Sequence, residues 1–186
     1  MEADWEFEVG WDAPVIDARW EGLVDLQKAP GAAWELAEVR ELPALGVLLE
    51  RLNAGSSPVW TSKCDFFPAL QAEEFDADEM DAGAGACTDA VACYIDMLAK
   101  AGGGWCEPRM VEAVCRQVCG ALRPVALRCC RADLIVRRAV LDLDSARLGI
   151  TAYVSACGST GSEARDTLAT ALTAFAHALC GNSTLQ

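Results

Sequence analysis

The sequence predicts an α+β fold, a two-layer arrangement with a mainly antiparallel sheet and helices packed chiefly on one face. Three observations carry that expectation. Residues 148–157 alternate strictly, with Leu148, Ile150, Ala152, Val154 and Ala156 on one side and Gly149, Thr151, Tyr153, Ser155 and Cys157 on the other, the pattern of a half-buried strand. The run before it, residues 132–143, is rich in β-branched and aliphatic side chains and reads as its antiparallel partner across a turn at Asp144-Ser145-Ala146-Arg147. After Cys157, a Gly-Ser-Thr loop leads into a capping-box pair, Thr160 and Glu163, and a helix with Leu168, Leu172, Phe175 and Leu179 as its stripe.

Taken in order, the chain opens with Trp5, Phe7 and Val9 alternating with Glu6 and Glu8, a short strand ending at Gly10. Residues 11–26 carry Pro14 and Gly22 among charged and aromatic side chains and read as irregular, with a second short strand at 22–26. Residues 31–41 read as a helix. Pro43 opens another through Leu52, stopped at Asn53-Ala54-Gly55. Residues 58–66 read as a strand, and 71–85, acidic and rich in Gly and Ala, as a solvated surface loop. Residues 86–99 place Val91, Tyr94, Ile95 and Leu98 at helical spacing and are assigned to a helix, although their centre also suits a strand. Pro108 starts a helix through Leu122, with Met110, Val111, Val114, Cys115, Val118 and Leu122 along one face. In the last helix His177 lies two residues from Phe175, roughly 200° around the axis, and is expected to face outward.

The 186 residues, 53% of them hydrophobic, suffice for one core. The expectation is a single domain over 1–186, with an acidic half at 1–100 and an arginine-containing half at 105–186. Gly102-Gly103-Gly104 is the hinge between them. Residues 1–100 hold 21 acidic and 6 basic side chains, and residues 101–186 hold 7 and 9. This balance disfavours nucleic acid, whose phosphates call for clustered Lys and Arg. No apolar run approaches a membrane span, and the acidic start has no secretory pattern, so a cytoplasmic protein is expected. The ten cysteines are then expected as reduced, mostly buried thiols.

Candidate chemistry is sparse. The acidic stretch 73–85 fails the calcium-loop pattern counted from Asp76, where position 6 is Asp81 and position 12 is Cys87. No CxxC occurs and there is one His, so no metal is expected; Cys115, Cys119 and Cys129 are the weak candidates for one. Cys64 beside Lys63 is a weak nucleophile candidate, because strand neighbours point to opposite faces. Seven residues separate Cys157 from Arg165, rather than the five of the phosphatase pattern. The strongest ligand candidate is the loop Gly158, Ser159, Thr160, Gly161 and Ser162, at a helix N-terminus that favours anions. Tyr153, Ser155 and Cys157 from the strand before it, and Arg137 and Arg138 from the neighbouring strand, would complete such a site.

Six tryptophans, four of them before residue 35, are expected mostly in the core, with any exposed ones marking a protein-binding patch. The function expected from this balance is a non-catalytic protein-interaction or accessory protein, possibly self-associating, with no cofactor, no nucleic acid and no membrane. A protein binding a small anion at 158–162 and a thiolate metal protein are the alternatives.

Overall fold

The computed structural model describes residues 1–70, 75–83, 87–100, 105–141 and 146–181. Its strands are β1 (Glu2–Glu8), β2 (Val15–Asp17), β3 (Val59–Phe67), β4 (Asp89–Ala99), β5 (Cys130–Val140) and β6 (Ala146–Gly158). Its α-helices are α1 (Ala37–Glu41), α2 (Pro43–Asn53), α3 (Pro108–Leu122) and α4 (Gly161–Cys180). The α+β class is as expected. The strands form one sheet in the order β1-β5-β6-β4-β3, with β2 also on β5. The pairs β5–β6, β6–β4 and β4–β3 are antiparallel, whereas β1 and β2 both run parallel to β5. The sheet is therefore mixed. Its first strands come from the acidic half and pair with a strand of the other half, 129 residues apart at Glu2↔Arg131.

Period-2 alternation sorts the two faces. Val91, Cys93, Ile95 and Met97 of β4, Ala132, Leu134 and Val136 of β5, and Ile150, Ala152 and Val154 of β6 share one core. Leu45, Leu48, Leu49 and Leu52 of α2, Val111, Cys115 and Val118 of α3, and Leu168, Leu172 and Phe175 of α4 join the same core. Each large side chain buried there contributes about 1.5–3 kcal/mol.

Residues 89–99 form a strand, not a helix. β4 lies between β3 and β6 and is buried along most of both faces. An interior strand has no polar side to announce period 2, and its apolar run mimics a helix. At the N-terminus the second strand is Val15–Asp17 rather than 22–26; Gly22 instead turns the chain at φ 103°. The helix expected at 31–41 is divided into a 3-10 turn, Pro30–Glu35, and α1 by an extended Leu36.

The acidic segment is not simply solvated where described. A short 3-10 turn, Asp78–Met80, brings Met80 and Ala82 down onto Ala90 and Cys157 of the sheet. The triglycine hinge and the turn at 144–145 lie outside the described residues. Thr160 caps α4 as expected, its Oγ1 accepting from Glu163 N at 3.2 Å. The Glu163 carboxylate turns back to Ser159, not Thr160, taking its N–H at 2.9 Å and its hydroxyl at 2.5 Å. No helix among the described residues is long and apolar enough to cross a membrane.

Candidate functional site

The second face of the sheet carries the side chains of opposite parity. Its two ends are walled. At one end Ile16 and Ala18 pack on Trp60, Leu98 and Ala139, tied down by Ser62 Oγ, which donates to the Asp17 carbonyl at 3.1 Å. At the other end Met80 and Ala82 cover Ala90 and Cys157. No helix among the described residues covers the middle. An aromatic ribbon crosses it, with Phe67 to Tyr94 at 6.2 Å and Tyr94 to Tyr153 at 5.8 Å between ring centroids. Toward the β1 edge the ribbon meets a depression of about 400 Å³ bordered by Asp4, Glu6, Arg131, Asp133, Ile135 and Tyr153.

A polar network underlies this face. Arg137, on β5, donates to Glu8 at 2.9 Å through Nε and approaches Thr151 Oγ1 and Tyr153 Oη at 3.4 Å. Its guanidinium also lies 5.7 Å from the centre of the Tyr153 ring. Thr151, fully buried, donates to Asp96 Oδ1 at 2.6 Å. Burial pushes the Asp96 carboxyl above the ordinary carboxylate range, against the opposing pull of Thr151 and Arg137. Asp133 is raised by burial in the same way, with Arg131 Nε against its carboxylate at 2.8 Å opposing the shift.

Native Asp96 thus holds its proton at pH values where the unfolded chain has released it. The ionised form costs stability as pH rises from the ordinary carboxylate pKa through the raised one. Asp96→Asn keeps an acceptor for Thr151 and removes that cost. The variant is expected to be more stable than the parent at pH 7 by about 1 kcal/mol, with the difference vanishing toward pH 3. Urea denaturation of both across this range checks it; a difference independent of pH would show that the Asp96 charge is not responsible.

The structure divides the ligand candidates. Tyr153, Ser155 and Arg137 share the uncovered face. Gly158, Ser159, Thr160, Gly161 and Ser162 lie past its walled end. Arg137 and Arg138 pair opposite Gly149 and Leu148, nine or more residues along β6 from Gly158 and so roughly 30 Å away. Arg138 donates to the Trp11 carbonyl at 3.2 Å instead. At the loop the Ser159 N–H and hydroxyl are turned to Glu163, and the depression beside it is bordered by Thr160, Ser162, Glu163 and Asp166. Sequence reasoning did not find Asp96, Tyr94 or Asp133. Polar Asp96 and Tyr94 at period 2 within an apolar run were the available signal.

The cysteines also depart from expectation. Cys87 and Cys157 form a disulfide, with Cα atoms 5.5 Å apart, so the ten are not all reduced thiols. Cys129 lies beside the pair, and the three sulfurs are all within 4.8 Å of one another. Cys115 and Cys119 are not part of this group. They sit in the helical core, where burial pushes their thiols up to about 12 and about 11. Cys64, half-buried, is pushed up to about 12, again by burial first and then by neighbouring carboxylates, which removes its promise as a nucleophile. His177 faces outward as expected and meets Arg51 at 3.4 Å.

The fold and face define an α+β domain with a mixed sheet, helices against one face and an aromatic, acid-bordered surface on the other. Compared with known proteins, the chain matches no family model, no curated protein and no solved structure.

Proposed function

We propose that this is a non-catalytic interaction protein that docks a basic segment of a partner protein on its uncovered sheet face. The observation that carries the reading is the depression at the β1 edge, where three carboxylates, Asp4, Glu6 and Asp133, border an aromatic floor at Tyr153. Arg131 in that lining is paired with Asp133 and Glu79, and Arg123 reaches Asp4 at 3.6 Å from outside it, which leaves Glu6 to lead the contact with a basic partner. Arginine and lysine side chains suit such a place, since their charges meet the carboxylates while their stems lie on the rings. The net charge of −13 steers the same partner at longer range.

At the same edge, residues 9–14 loop out between β1 and β2, and Trp11 stands 90% exposed at that excursion, with Val9 and Val15 each more than 40% exposed. Exposed tryptophan commonly anchors protein interfaces. Trp11 and Trp34 are exposed, while Trp60 and Trp105 are buried and Trp5 packs against the core half-buried. The anion reading at 158–162 has less support, because a carboxylate of the chain itself already occupies that cap.

Fluorescence anisotropy with labelled peptides of about ten residues, rich in Arg and Lys, tests the proposal. Saturable, salt-sensitive binding is expected, weakened at least tenfold by Tyr153→Ala and by Glu6→Lys. Equal binding by the parent and Tyr153→Ala, or no saturable binding, would sink it. A mass that rises with concentration in light scattering, and falls back in Trp11→Ala, would assign the surface to a second copy instead.

A further inference from the structure

We propose that Cys87, Cys129 and Cys157 form a three-thiolate site for one soft d10 cation, Zn(II) or Cu(I), open only when the Cys87–Cys157 disulfide is reduced. The sulfurs come from three segments far apart in sequence and converge within 4.8 Å. A zinc ion about 2.3 Å from each sulfur requires sulfur separations of roughly 3.8–4 Å, so the Cys87 and Cys157 sulfurs must part once their bond is reduced, with the Cys129 sulfur already within reach of both.

Two backbone features hold the ligands in place. Cys129 adopts φ 60°, a left-handed conformation that non-glycine residues rarely take and that clusters at functional sites. Its carbonyl accepts from Cys157 N at 2.9 Å, and Thr88 N, next to Cys87, donates to the Gly158 carbonyl at 2.9 Å. Each cysteine is thus fixed through its own backbone or its neighbour's. Cys157 is fully buried and Cys87 and Cys129 half-buried, which leaves one side of the triangle toward solvent for a fourth ligand. Met80, Phe75 and Ala90 supply an apolar lining that strengthens thiolate–metal attraction.

With the disulfide formed, one thiol remains and soft-metal affinity is low. A dithiol reductant transfers two electrons and two protons to the Cys87–Cys157 bond and is itself oxidised to a disulfide. The three resulting thiols release up to three protons to solvent as the cation binds. The site thus couples metal loading to the redox state of its surroundings.

The test is anaerobic titration of the full chain with Co(II), after phosphine reduction and removal of the reductant. One equivalent is expected to bind with a thiolate-to-cobalt charge-transfer absorption, displaced by Zn(II). Affinity should fall at least a hundredfold in Cys129→Ser and be unchanged in Cys106→Ser, an exposed cysteine outside the group. Unreduced protein should show no such band. Zn(II) should also protect these three thiols from alkylation, read by mass spectrometry. No charge-transfer band, an equal band in Cys129→Ser, or an equal band without reduction would overturn the proposal. If Cys129→Ser loses its circular-dichroism signal, Cys87→Ser gives the same reading.

Discussion

Asn53→Ala is expected to destabilise the fold by about 3 kcal/mol, lowering Tm by about 6–12 °C. Asn53 ends α2 and is 2% exposed. Its Nδ2 donates to the Leu49 carbonyl at 2.8 Å and to Thr61 Oγ1 at 2.7 Å, while its Oδ1 accepts from Thr61 N at 3.0 Å. One side chain therefore closes a helix C-terminus and supplies the backbone partner that β3 lacks where its register shifts between Thr61 and Cys64. Alanine leaves the Thr61 N–H and hydroxyl buried without these partners, and that desolvation is the main cost. Equilibrium urea denaturation measures it. A loss below about 0.5 kcal/mol would mean that water enters and replaces the amide.

Arg137→Met should cost about 2–4 kcal/mol at pH 7. The guanidinium is 13% exposed and pairs with Glu8 at 2.7 Å. It also reaches Thr151 and the Tyr153 hydroxyl and helps hold down the Asp96 carboxyl. Methionine fills similar volume but leaves Asp96 with Thr151 and the charge of Lys63 only, so its carboxyl rises further. Below the ordinary carboxylate range Asp96 is protonated and the arginine no longer has its charge to neutralise. The destabilisation is therefore expected to shrink as pH falls from 7 toward 3. The double variant Arg137→Met with Asp96→Asn should recover part of the loss at pH 7. Full additivity of the two changes would show that these groups do not interact.

Legibility in the sequence followed the range of the interactions. α3, α4 and the β5–β6 hairpin were readable because Pro108, Thr160 and the Leu148–Cys157 alternation act within a few residues. β4 was not, because a strand between two others has no solvent side to mark it. The pairing of β1 with β5 leaves no local trace at all. For the candidate site, the alternation exposed Thr151, Tyr153 and Ser155 as one polar row, and Arg137 fell beside them. The Gly-Ser-Thr loop has the composition of an anion site, yet its Ser159 and Thr160 groups serve the helix cap through Glu163. Cys129 and Cys157 each stood out separately, but nothing near Cys87 foretold their meeting, since 70 residues separate it from Cys157.

The interruption between β1 and β2 has a consequence for how copies of the chain meet in concentrated solution. An uninterrupted outer strand offers its unpaired backbone groups as a template for any extended chain. Here that outer row ends at Glu8, breaks for residues 9–14 and resumes for only three residues at Val15–Asp17. The opposite outer strand, β3, is broken by its irregularity at Thr61/Cys64. Four carboxylates, Glu2, Asp4, Glu6 and Glu8, line β1 and repel a second copy laid alongside. Both borders of the sheet are thus poor templates for stacking strand on strand, which protects a chain this rich in apolar residues from fibrous aggregation.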